Sequence, residues 1–129
     1  MNVLQTVASM KKRPISVTIV SWVYIVAGIT GIAAHATEFD LRHPFSNDVV
    51  LALIVRLLAV VAGMFMLRGH NWARWLAIVW IAFHVVLSAF HSFPSAAFHA
   101  LLLAVFAYFL FRRHANTYFS AERAELNPV

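Results

Sequence analysis

The chain has 129 residues, 62% of them hydrophobic and only 12% formally charged, with a net charge of +5. A soluble domain carries roughly a quarter charged residues, so a free-standing globular domain is excluded. The absence of cysteine excludes disulfide exchange and thiolate metal sites. Nucleic acid is not an expected partner, because no folded basic module accompanies the positive balance.

Four runs, 15–35, 49–67, 72–90 and 96–111, are nearly free of charge. Each is near the length of a membrane-spanning helix, about 17–25 residues. They predict one all-α domain over residues 1–129, a transmembrane four-helix bundle in up-down-up-down order whose first partner is the lipid bilayer. Residues 1–10 are mildly amphipathic and are expected on the membrane surface. Pro14 suits a first helical turn, where its missing N–H would lack a partner anyway. Run one then extends to about His35. Its basic start, apolar stretch and Ala34-His35-Ala36 resemble a cleavable signal peptide, whose removal would leave three spans. The stretch exceeds the about 7–15 residues of a signal core, so an uncleaved first span is expected.

Residues 36–48 form the one sizeable loop, where His43-Pro44 ends regular structure and Ser46, Asn47 and Asp48 offer caps for run two. After Leu67 the link is tight, with Gly69 suited to a helix C-cap and Asn71 to an N-cap. Run three opens on Trp72, Arg74 and Trp75, which suit a headgroup-level anchor. Its far end meets Ser92-Phe93-Pro94-Ser95, with Ser95 as the expected cap of run four. The tail from His114 to Val129 is polar and expected to be helical at its start. Lys11, Lys12, Arg13, Arg68, Arg74, Arg112, Arg113 and Arg123 share one predicted side, against only Arg42 among Glu38, Asp40 and Asp48 on the other. This asymmetry predicts both termini in the cytoplasm.

Helices in lipid are joined through small and polar residues. In run one these are Ser21, Tyr24, Gly28, Gly31 and His35, and in run two Ala52, Arg56, Ala59, Gly63, Met66 and His70. Run three offers Ala77, Ile81, His84, Ser88 and His91, and run four Ala97, Ala100, Ala104, Ala107 and Tyr108. All four stripes are predicted to face the interior.

Arg56 is the sharpest single signal. It lies seven positions into run two, about 10 Å below the end at 1.5 Å per residue. A cation at such depth costs roughly 2–3 kcal/mol. Gly28 and His84 fall at similar depth, with Tyr24 on the same stripe as Gly28. These four residues form a candidate ligand site for an anionic headgroup, a carboxylate or a quinone carbonyl. The competing expectation is that Arg56 snorkels to Glu38, Asp40 or Asp48.

The histidines form a second constellation. His35, His43, His91 and His99 fall near one face, with Glu38, Asp40 and Asp48 beside them, a donor set suited to zinc-like ions. His84 lies one heptad below His91, and two histidines from different helices would also suit a haem iron. No close ligand pair is present, and histidine is at home at membrane interfaces, so structural placement is the simpler expectation. No cofactor is fixed by these residues. No nucleophile–base–acid set appears, so no catalytic residue is assigned.

The link Arg68-Gly69-His70-Asn71-Trp72-Ala73-Arg74-Trp75-Leu76 resembles one found in small, uncharacterised bacterial four-span membrane proteins, in which Gly-x-x-Trp-Ala-Arg joins two helices. The resemblance implies a multi-pass protein of the bacterial inner membrane and implies no activity. The expected function is a non-enzymatic membrane subunit or an accessory factor binding lipid or protein, as a homo-oligomer or with a membrane partner. Two alternatives are a small transporter or channel with Arg56 selecting an anion, and a haem- or metal-binding electron-transfer protein.

Overall fold

The computed structural model describes residues 2–5, 12–37 and 47–126. The loop holding Glu38, Asp40, Arg42 and His43 lies outside them. Five main helices follow in chain order: α1 (Ile15–Thr37), α2 (Asn47–Leu67), α3 (Asn71–Ala89), α4 (Phe93–Phe111) and α5 (Arg113–Leu126). No strand occurs among the described residues. Helices α1 to α4 are each long and apolar enough to cross a membrane.

The helix boundaries correct the sequence reading in two places. Ser92, not Ser95, caps α4: its Oγ accepts from the Ser95 N–H at 3.5 Å, and Pro94 lies in the first turn. Asn71 is already inside α3, and the capping position belongs to His70, which makes no side-chain cap bond. The Asn71 N–H donates instead to Glu122 Oε2 of α5 at 2.9 Å. A carboxylate there satisfies an orphan amide and meets the positive end of the helix dipole. Gly69 does close α2 as expected. It stands at φ +88°, which glycine adopts without penalty, and the Gly69 and His70 N–H groups donate to the Met66 and Phe65 carbonyls, both at 3.1 Å.

Helices α1 and α2 form the tightest seam, and glycine explains why. A Cβ on Gly63 would stand 2.6 Å from the Ser21 carbonyl oxygen, and one on Gly28 would stand 2.8 Å from that of Arg56. The two backbones are therefore nearly in contact. At one end of this seam, Arg13 Nη1 donates to the Leu67 carbonyl at 3.0 Å. Side chains tie in the other helices: Tyr24 Oη donates to the Ala77 carbonyl at 2.6 Å, and Trp80 Nε1 to the Val55 carbonyl at 2.6 Å. Ser21, Tyr24, Gly28, Ala59, Gly63, Met66, Ala77 and Ile81 are buried, so the stripes expected on α1, α2 and the first half of α3 do face inward.

The stripe expected on α4 does not. Ala97, Ala100 and Ala104 are exposed, Tyr108 is 63% exposed, and α4 buries Phe106 and Leu110 instead. This helix meets α1 only lightly and packs mainly on α3, so it approaches through bulky side chains and needs no small ones. The outward surface of the four helices is apolar, with Trp22, Val26, Val79 and Leu101 each more than half exposed. An apolar surface so extensive suits hydrocarbon rather than water.

Helix α5 turns back across the α2–α3 link, burying Ala115, Tyr118 and Phe119. Tyr118 Oη donates to the Leu67 carbonyl at 2.8 Å, and its ring covers Gly69. Arg74 donates to Asn116 Oδ1 at 2.5 Å and lies over the Phe111 and Phe119 rings. His70 is paired with Glu122. Burial pushes the Tyr118 hydroxyl above its ordinary range, against the opposing pull of Arg13, so it stays a donor.

Candidate ligand site between α2 and α3

Helix α2 begins at Asn47, so Arg56 is nine residues in, about 14 Å along the axis at 1.5 Å per residue. That is deeper than the sequence reading supposed and close to mid-helix. The guanidinium lies against Gly31 of α1, where a Cβ would stand 2.8 Å from Arg56 Cδ and 3.1 Å from Cζ. Gly31 therefore makes the room for this cation. Gly28 does a different job: it meets Val60 and the backbone of α2.

Arg56 Nη2 donates to His35 Nε2 at 3.5 Å. Arg56 Nε is buried with no hydrogen-bond partner. Among the described residues no carboxylate stands within ion-pair distance of it, and the snorkelling partners Glu38 and Asp40 fall outside those residues. Asp48 is described and lines the same cleft, without an ion pair to Arg56.

The cleft has a volume of about 250 Å³. Asp48, Arg56 and His84 supply its polar ends, and Leu51, Val55, Phe83 and Leu87 its apolar walls. His84 is held there by two contacts. Its Nδ1–H donates to the Trp80 carbonyl at 3.0 Å, and its ring stacks on Trp80 with centroids 3.9 Å apart. That orientation leaves Nε2 as the free nitrogen.

Of the four sequence-predicted ligand residues, the structure brings Arg56 and His84 to one cleft. Tyr24 belongs elsewhere: it is buried against Trp80 and Phe106 and spends its hydroxyl on α3. The histidines are divided among three places. His35 joins Arg56, while His84 and His99 approach with ring centroids 6.0 Å apart. His99 Nδ1 lies 2.8 Å from the Ser95 carbonyl and 3.0 Å from Ser88 Oγ. His91 is exposed just beyond α3 and donates to the Leu87 carbonyl of that helix. Among the described residues no three histidines or carboxylates converge as metal ligands. His43 lies outside the described residues.

Sequence reasoning missed Trp80, Phe83 and Leu87. Phe83, His84 and Leu87 follow an i, i+1, i+4 pattern that gives one face of α3, but only with Arg56 opposite does that face become a wall. No family model, curated protein or solved structure matches this chain.

Proposed function

We propose that this is a non-enzymatic, multi-pass protein of the bacterial inner membrane that binds an anionic ligand at Arg56. In this reading α1 to α4 cross the bilayer up-down-up-down with both termini cytoplasmic. The basic residues at the Arg13, Arg68 and Arg112 ends and the acidic loop opposite support that orientation. The observation that carries the ligand reading is a mid-helix guanidinium in a cleft with no carboxylate partner among the described residues. A cation in hydrocarbon is costly, and a bound anion offsets that cost through charge-assisted hydrogen bonds. The cleft offers a cation and apolar walls rather than an assembled nucleophile–base–acid set, which favours binding over turnover. Partner protein, second copy or lipid would meet the apolar outer faces.

Arg56→Gln and Arg56→Lys test this. Both variants are expected to keep their helical content in detergent, since no carboxylate among the described residues is left unpaired when Arg56 is replaced. Mass spectrometry of small molecules retained on purification is expected to find an acidic species on the wild type. That species should be absent from Arg56→Gln and reduced on Arg56→Lys. Equal retention on all three would end the reading. Arg56-dependent anion flux in liposomes would instead turn it toward transport.

A further inference from the structure

Resting on that reading, we infer that the ligand of the α2–α3 cleft is a single-chain carboxylate amphiphile of the fatty-acid class, which enters sideways from the bilayer. Three observations lead there. The first is access. The apolar walls are themselves open to the outside, with Leu51 56%, Phe83 40% and Leu87 42% exposed. A ligand resting on them leaves part of its length among lipid chains.

The second is size. At roughly 30 Å³ per water-sized group, the cleft of about 250 Å³ holds about eight such groups. That accommodates a carboxylate and the first part of one chain. The glycerol backbone and second chain of a two-chain lipid would have to lie outside the cleft.

The third is charge. Among the described residues Arg56 is the one cation lining the cleft, and Asp48 lines it too. A monoanion balances the guanidinium, whereas a dianionic phosphate monoester would leave an uncompensated second charge beside Asp48. A carboxylate oxygen can accept a charge-assisted hydrogen bond from the Arg56 nitrogens not bonded to His35. Side chains on a helix tilt toward its N-terminus, so the Arg56 head reaches back toward the Asp48 end of α2, where a headgroup would lie.

The test is equilibrium binding to the full-length protein in phosphatidylcholine nanodiscs, using oleate, oleyl alcohol and butyrate as probes. Oleate is expected to bind saturably. Binding should weaken by about tenfold or more in Arg56→Gln and in Leu51→Trp, which fills an exposed wall without touching the core. Oleyl alcohol, lacking the charge, and butyrate, lacking the chain, should each bind at least about tenfold more weakly than oleate. Butyrate binding as tightly as oleate, with the same dependence on Arg56, would overturn the amphiphile while leaving the anion site standing. Oleate binding unaffected by Arg56→Gln and Leu51→Trp would overturn both.

Discussion

Gly63→Leu is expected to abolish the folded state in mild detergent. The first added carbon would stand 2.6 Å from the Ser21 carbonyl oxygen and 2.7 Å from Ile25 Cγ1. One neighbour is backbone, so no rotamer change relieves the overlap, and α1 and α2 must part. Overpacking in cores costs about 1–3 kcal/mol where side chains can adjust. Here the separation would also break the Gly28 and Gly31 contacts along the same seam. The loss is therefore expected at the upper end, on the order of 3 kcal/mol or more. Thermal unfolding followed by circular dichroism or size-exclusion recovery would measure it. Ala100→Leu, on the exposed face of α4, is the control and should leave the midpoint unchanged.

Phe119→Ala is expected to release α5 while the four long helices stay folded. Phe119 is fully buried, and truncating a buried phenylalanine costs about 3–5 kcal/mol. That compares with hydrogen bonds of about 0.5–1.5 kcal/mol each holding the rest of α5. Losing the ring also takes a face from Arg74, whose guanidinium lies 5.3 Å from its centroid. Amide exchange should accelerate across residues 113–126 and little elsewhere. Limited proteolysis should cut the same segment in the variant and spare it in the wild type. Uniform destabilisation of all helices would show that α5 is integral to the whole fold instead.

The four apolar helices were legible because hydropathy and length alone decide them. The α1–α2 seam was legible too, since small residues at alternating steps of three and four mark a close approach. Helix α4 defeated that rule: Ala97, Ala100 and Ala104 face outward, because a helix joined through Phe106 and Leu110 to its neighbours needs no small surface. The docked tail was the larger omission. Ala115, Tyr118, Phe119 and Glu122 lie on one face at steps of three, one and three, a pattern present in the sequence. What the sequence could not show was their target. The Gly69–Arg74 link reads as generic cap and anchor chemistry until Tyr118 is seen over Gly69 and Glu122 on Asn71. At the cleft, Arg56 announced itself through the rarity of charge in such a helix. Its neighbours Phe83 and Leu87 are ordinary apolar residues whose role depends on what faces them.

In the proposed topology the helices cross a bilayer and return, with both chain ends on the same side. The chain has no cysteine, so single cysteines introduced at chosen positions report cleanly on exposure to water. Lys12→Cys, Ser92→Cys, Arg123→Cys and Val79→Cys would be treated in intact spheroplasts with a membrane-impermeant maleimide. Ser92→Cys is expected to react from outside. Lys12→Cys and Arg123→Cys are expected to react only after lysis, and Val79→Cys, mid-helix and outward-facing, in neither case. Reaction of Ser92→Cys and Arg123→Cys from the same side, or ready labelling of Val79→Cys, would rule out this topology.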